Sequence, residues 1–297
     1  MTEPTHPQPV DDAHILDRGY RTYEGERGGS IAAAVTIAVA GMRAVLGLGR
    51  RARSKAIPVV CVVIAFLPAV IFVGLAALLP SEFLDVAEIA DYSGYYGVIV
   101  LALVLFTAFV APEALTGDRR SGMLTLYLTT PTSRLGYVLA KTAAVFIILS
   151  IVTIGPLLLN LIGYSLESLG PGGILDTVEL LGRMLLAGLL VSAVYTSLSI
   201  GVSSLTDRRA WASTGIVVVM ILSSVVPTIL VETADMSEKL QLLNLLVAPL
   251  ELVVRIYGDQ PEFPELATSS LALACSAWIV AGMAVAIVRY HRIGGAR

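Results

Sequence analysis

The residue types that usually do chemistry are sparse in this chain, and their placement narrows what it can do. Its three histidines, His6, His14 and His291, lie in polar ends outside the long apolar runs. A Ser-His dyad, a His-ligated metal or a His proton relay inside those runs has no imidazole to use. No Gly-x-x-x-x-Gly-Lys-Ser/Thr loop occurs, so the chain has no P-loop for ATP. Cys61 and Cys275 sit within apolar runs, where cysteine acts as a small hydrophobe. Ser192, Thr196, Ser197, Ser199, Ser203 and Ser204 read as packing groups that bond back to their own helix. Glu113, after Ala111-Pro112, is the exceptional carboxylate in an apolar run. At membrane depth such a group marks an ion path; near a boundary it pairs with a base, here Arg119 or Arg120, and its position favours pairing.

Two polar segments carry most of the remaining chemistry. Residues 118–128 read as a short amphipathic helix that begins with Asp118, Arg119 and Arg120 and continues through Gly122, Met123, Leu124, Tyr127 and Leu128. Pro131 stops it. Thr132 or Ser133 then caps a helix that enters an apolar run through Arg134, Tyr137 and Lys141. The second segment is the tight turn Thr206-Asp207-Arg208-Arg209. On physics alone the first segment reads equally well as a solvated basic loop or as a lever for a docking partner.

The elements that position these segments follow from composition. Of 297 residues 56% are hydrophobic and 14% charged, and the mean hydropathy is +0.81. Soluble domains carry roughly 25% charged residues, and a 31.3 kDa globule has too little interior for this much apolar surface. A soluble globule, a disordered chain and a nucleic-acid binder are thereby excluded. The expectation is an all-α polytopic membrane protein. About 20 apolar residues span the hydrocarbon core, which predicts six transmembrane helices near residues 57–79, 95–115, 137–164, 180–205, 211–231 and 267–290. The third contains Gly155-Pro156, a kink signal.

Charge orients the bundle. Seventeen of the 20 bases fall on one side of these six spans and three on the other; nine and fourteen of the 23 acids divide the opposite way. The positive-inside rule then places both termini in the cytoplasm, at a plasma membrane of the bacterial type. Residues 1–29 read as a flexible cytoplasmic tail without a cleavable leader, and residues 291–297 as a second tail. Residues 56–290 form the six-helix domain.

Two stretches imitate spans. In residues 30–55, Thr36, Ala40, Arg43, Gly47 and Arg50 share one helical face, and Ile31, Val35, Val39, Met42, Val45 and Leu46 lie opposite. That pattern predicts an interfacial amphipathic helix. Residues 240–257 are too broken to span and too apolar for water, and read as outer re-entrant half-helices bent at Pro249, before the last span. No internal repeat is visible, which argues against an inverted-repeat transporter.

The Asp-Arg-Arg-Ser-Gly-Met-Leu…Leu…Thr-Pro…Arg…Lys pattern from Asp118 to Lys141 resembles the signature of ABC-2 type transporter permeases, which carry a coupling helix between spans two and three. The turn at Asp207 to Arg209 is similar to their short loop between spans four and five. The resemblance implies an ABC transporter permease that is not an enzyme. It would bind no cofactor, since ATP and Mg would be held by two separate ATP-binding subunits. A second copy or a sister permease would pair with it through spans one, two and five. Met123, Leu124, Tyr127 and Leu128 would offer an apolar face to the ATPase, with Arg119, Arg120 and Arg134 making ion pairs or headgroup contacts. The cargo would be amphipathic, lipidic or polymeric, and export is the family's usual direction. The rival is a secondary transporter or channel not driven by ATP; it would need more midplane charge than the spans supply. A membrane-embedded enzyme ranks third.

Overall fold

A computed structural model describes residues 28–49, 52–78, 91–128 and 132–293. Of the tails expected at 1–29 and 291–297, residues 1–27 and 294–297 lie outside the described residues, as does Pro131. The chain forms helices α1 (Ser30–Val45), α2 (Arg53–Leu78), α3 (Tyr95–Leu105), α4 (Glu113–Arg120), α5 (Met123–Leu128), α6 (Arg134–Leu166), α7 (Ile174–Ser203), α8 (Arg209–Glu232), α9 (Val247–Tyr257) and α10 (Thr268–Ile293). No strand occurs among the described residues. Six helical stretches are long and apolar enough to cross a membrane, and they match the six expected runs: α2, α3 through α4, α6, α7, α8 and α10.

The second span is continuous through a widened turn. Phe106–Val110 forms a π-helical segment, closed by the Ala111 amide donating to the Phe106 carbonyl at 2.9 Å. Pro112 follows. A proline has no amide to give and its ring crowds the carbonyl four residues back; the wide turn relieves that conflict just ahead of the ring. Pro156, in contrast, sits inside a single unbroken α6.

The spans fall into two classes. Those of α3–α4, α6 and α7 bury more than half of their most apolar stretch within the chain, whereas α2, α8 and α10 bury less than a quarter. The most extensive packing joins α7 to α10. Small residues allow it: a Cβ on Gly201 would lie 2.8 Å from the Gly282 carbonyl, and one on Gly282 would collide with the Ser197 backbone. Between α6 and α7 the Thr153 and Ser192 hydroxyls meet at 3.0 Å, and Thr153 also donates to the Gly188 carbonyl at 3.2 Å. The Tyr95 hydroxyl ties span two to span one by donating to the Ala65 carbonyl at 2.7 Å. Such bonds satisfy groups that lipid would leave unpaired.

Helix α1 has three faces rather than two. Ile37, Gly41 and Val45, at spacings of four, are buried against the bundle. Here α1 lies along α6 and α4, close enough that a Cβ on Gly41 would stand 3.0 Å from Ala144 and 3.4 Å from Lys141. Ile31, Val35 and Val39, expected on the same apolar face as Val45, point outward.

At the acid-rich end the chain bends earlier than Pro249. A short 3-10 helix, Glu238–Leu243, stops at Asn244, whose side-chain oxygen accepts from the amides of Leu246 and Val247 at 3.0 and 3.1 Å. That caps the exposed amides of α9. Pro249 lies within the first turn of α9, where an amide has no intrahelical partner to lose, so it fits the helix without bending it. The buried Glu251 then pins the returning chain: it pairs with Arg255 at 3.4 Å and accepts from the Phe263 amide at 3.2 Å.

Candidate functional site

The segment between spans two and three is two helices, not the single one expected over 118–128. Gly122 has φ +72 and donates its amide to the Arg119 carbonyl at 3.2 Å. Glycine enters this left-handed conformation at no steric cost and so ends α4. α5 then restarts at Met123.

Asp118, at the end of α4, is held from α6. Lys141 Nζ lies 2.6 Å from its carboxylate, and the Tyr137 hydroxyl donates to it at 2.8 Å. Lys141 is 1% exposed and two turns into α6. It is thus a further buried charge inside a span, where the sequence suggested Glu113 alone. Aromatic rings surround the pair. Tyr127 of α5 and Tyr290 of α10 flank Tyr137, with ring centres 5.8 and 5.5 Å away. Burial, and then the Asp118 charge, push the Tyr127 phenol up from its ordinary value. Arg119 stacks on Tyr290 at 4.7 Å and reaches Asp207 at 3.2 Å. Such stacking suits a planar guanidinium whose edge remains free for a carboxylate.

Four further contacts close the ring. Glu113 pairs with Arg120 at 3.7 Å and with Arg209 at 3.5 Å. This is the boundary pairing anticipated, with Arg209 as an added partner; Arg209 also donates to the Phe109 carbonyl. Arg134 donates to the carbonyl of His291 at 3.1 Å. One end of the bundle is therefore cross-tied: α4, α5, α6, the α7–α8 turn, α8 and α10 meet in one network of charges and rings.

Helical spacing then decides what remains for a partner. Leu124 and Tyr127, three apart, pack against the core, while Met123 and Leu126, also three apart, are 42% and 57% exposed. Arg119 is buried, whereas Arg120, Asp207 and Arg208 are exposed. The outward patch is thus Arg120, Met123, Leu126, Asp207 and Arg208. Leu124 and Tyr127, expected to face a partner, turn inward because the Asp118–Lys141 pair and the tyrosine stack draw that face onto α6; Arg119, expected to make ion pairs or headgroup contacts, pairs with Asp207. The Leu128 side chain lies outside the described residues. Among the described residues no group of three or more His, Cys, Asp or Glu is placed to hold a metal.

Residues 80–286 match the family model described as ABC-2 family transporter protein. The match takes in both charged segments and more than half of the chain. The chain belongs to the ABC-2 transporter family. No curated protein matches it. The chain is therefore a multi-pass membrane transport subunit of an ABC transporter, and membership implies ATP-binding subunits as partners.

In this ABC-2 subunit, sequence reasoning missed Leu126 and Tyr290 as site residues and left Lys141 and Tyr137 as mere entrants to a span. Tyr290 carried no local signal, since only the fold brings the last span to α4. Lys141 carried one: a base seven residues past Arg134 is too deep to reach the surface easily and needs a buried partner.

Proposed function

We propose that this subunit converts ATP hydrolysis by two separate ATP-binding subunits into export of an amphipathic, lipidic or polymeric substrate. ATP and Mg belong to those partners. The basic end of the bundle faces the cytoplasm of a bacterial-type plasma membrane, and both termini lie there, as the distribution of bases supports. The ATPase docks on Met123 and Leu126, with Arg120, Asp207 and Arg208 as charged flanks. The observation that carries this reading is that the exposed patch is bonded, not loosely attached, to two spans and to the α7–α8 turn. Displacing α5 must move Tyr127, which stacks on Tyr137 of α6, and Asp118 passes the same displacement to Lys141. Arg119 carries it to α10 and to the α7–α8 turn.

The permease acts as a pair, a homodimer or a heterodimer with a sister subunit. The apolar outward faces of α2 and α8, including Val63, Leu67, Leu222 and Val226, support spans one and five as the contact. Span two, largely buried within its own chain, has less surface left to contribute.

Leu126→Glu tests the docking. Leu126 is exposed, so the variant should fold and melt like the wild type. Truncating or charging a central contact commonly costs about 2 kcal/mol or more, so recovery of the ATP-binding subunit on a tagged permease should fall at least tenfold. Unchanged recovery contradicts the assignment.

A further inference from the structure

Arg43 is an exposed guanidinium with no ion pair among the described residues. It stands in a groove of about 460 Å³ on the outer side of α1, lined also by Val35, Thr36, Val39, Ala40, Ala44 and Leu48. The groove is built by the end of the helix. Gly47, at φ +66, donates to the Ala44 carbonyl at 3.1 Å, and Leu48 donates to the Arg43 carbonyl at 2.8 Å. This paired pattern is a Schellman stop, and it fixes Leu48 beside Arg43. A Cβ on Gly47 would lie 2.6 Å from the Ser54 carbonyl, so the turn leaves no room for a side chain there.

The groove has two chemistries side by side. Val35 and Leu48 are 57% and 50% exposed, and Val39 is 37% exposed. The one charged group among its lining residues is the cation. Its height in the bundle follows from packing: Gly41, two residues from Arg43, abuts Lys141, which lies about 10 Å along α6 from Arg134 at ~1.5 Å per residue. That puts Arg43 near the level of Lys141, but on the outward side of α1, from where a long guanidinium side chain can snorkel to the headgroups on the basic side.

We infer that this groove binds an anionic phospholipid, with its phosphate on Arg43 and an acyl chain along Val35, Val39 and Leu48. A free phosphate would satisfy the cation and leave the apolar walls in water; a neutral lipid would cover the walls and leave the guanidinium without a counter-charge. The anionic lipid alone meets both. Because α1 packs on Ala144 and Lys141, the bound lipid braces the helix that backs the Asp118–Lys141 pair.

The test uses the full chain, delipidated in mild detergent, with phosphatidylglycerol or phosphatidylcholine added and retained lipid read by native mass spectrometry. One base near an anionic lipid surface is worth about 1 kcal/mol, which is about fivefold in affinity. Arg43→Gln should lower phosphatidylglycerol retention about fivefold, leave phosphatidylcholine unchanged, and keep the wild-type melting temperature. Arg43→Lys should restore most of the retention. Val39→Ser should weaken phosphatidylglycerol with the base intact. Three outcomes overturn the inference: equal phosphatidylglycerol retention by Arg43→Gln and wild type, equal preference of wild type for the two lipids, or displacement of the lipid by millimolar inorganic phosphate.

Discussion

Lys141→Met should destabilise the folded subunit by about 3–5 kcal/mol, read as a large loss of thermal stability in detergent. Removing one partner of a buried ion pair strands the other without water. Lys141 Nζ lies 2.6 Å from an Asp118 carboxylate that is only 14% exposed. Methionine keeps most of the stem's packing, so the loss reads the charge rather than a cavity. Asp118→Asn in the Lys141→Met background should recover much of the stability, because the neutral amide needs no counter-ion and its oxygen still accepts from Tyr137. The Arg183–Glu179 pair gives the contrast. Its side chains are 40% and 62% exposed, and breaking it should cost less than about 1 kcal/mol. If Lys141→Met and Glu179→Gln melt alike, the buried network does not hold the basic end together.

Gly282→Ala should be among the most damaging single methyls at the described glycines. Its Cβ would collide with the backbone of Ser197, and backbone cannot rotate away as a side chain can. Relief requires parting α7 from α10, the most extensive helix contact present, and with it the reach of Tyr290 toward Arg119. Overpacking commonly costs about 1–3 kcal/mol and occasionally more; a clash against main chain belongs at the upper end. Gly182→Ala is the control. It lies in α7 with open space at its Cβ, and replacing a helical glycine with alanine should gain about 0.5–1 kcal/mol. Expression and melting of the two variants should move in opposite directions.

Much of the fold was legible because lipid imposes simple rules. Apolar runs of span length can only be helices, and a bias of seventeen bases to three alternates correctly only with six spans. Local chemistry was legible where one residue decides it. The αL stop at Gly122 and the cap at Asn244 both stand in the sequence, yet the reading ran one helix through Gly122 and gave Pro249 more weight than Asn244. A proline three residues into a helix is harmless, whereas an asparagine that caps two amides marks the true break. The orientation of α5 was not legible. Leu124 and Leu126 are equally apolar, and which one turns inward depends on Asp118 meeting Lys141 and on Tyr290 arriving from the far end of the chain. The same applies to α1, whose buried stripe of Ile37, Gly41 and Val45 is chosen by the shape of α6 rather than by hydrophobicity.

The central claim is that α5 is where the ATP-binding subunit delivers work. Single cysteines provide the most direct test, since native Cys61 and Cys275 are both buried and stay silent. In membranes containing the whole transporter, a short bismaleimide should link Leu126→Cys to a cysteine on the ATP-binding subunit's docking surface. Met236→Cys, exposed at the acid-rich end, should give no link. Adding ATP should change the yield at Leu126→Cys as the lever moves. A link at Met236→Cys with none at Leu126→Cys would contradict the account.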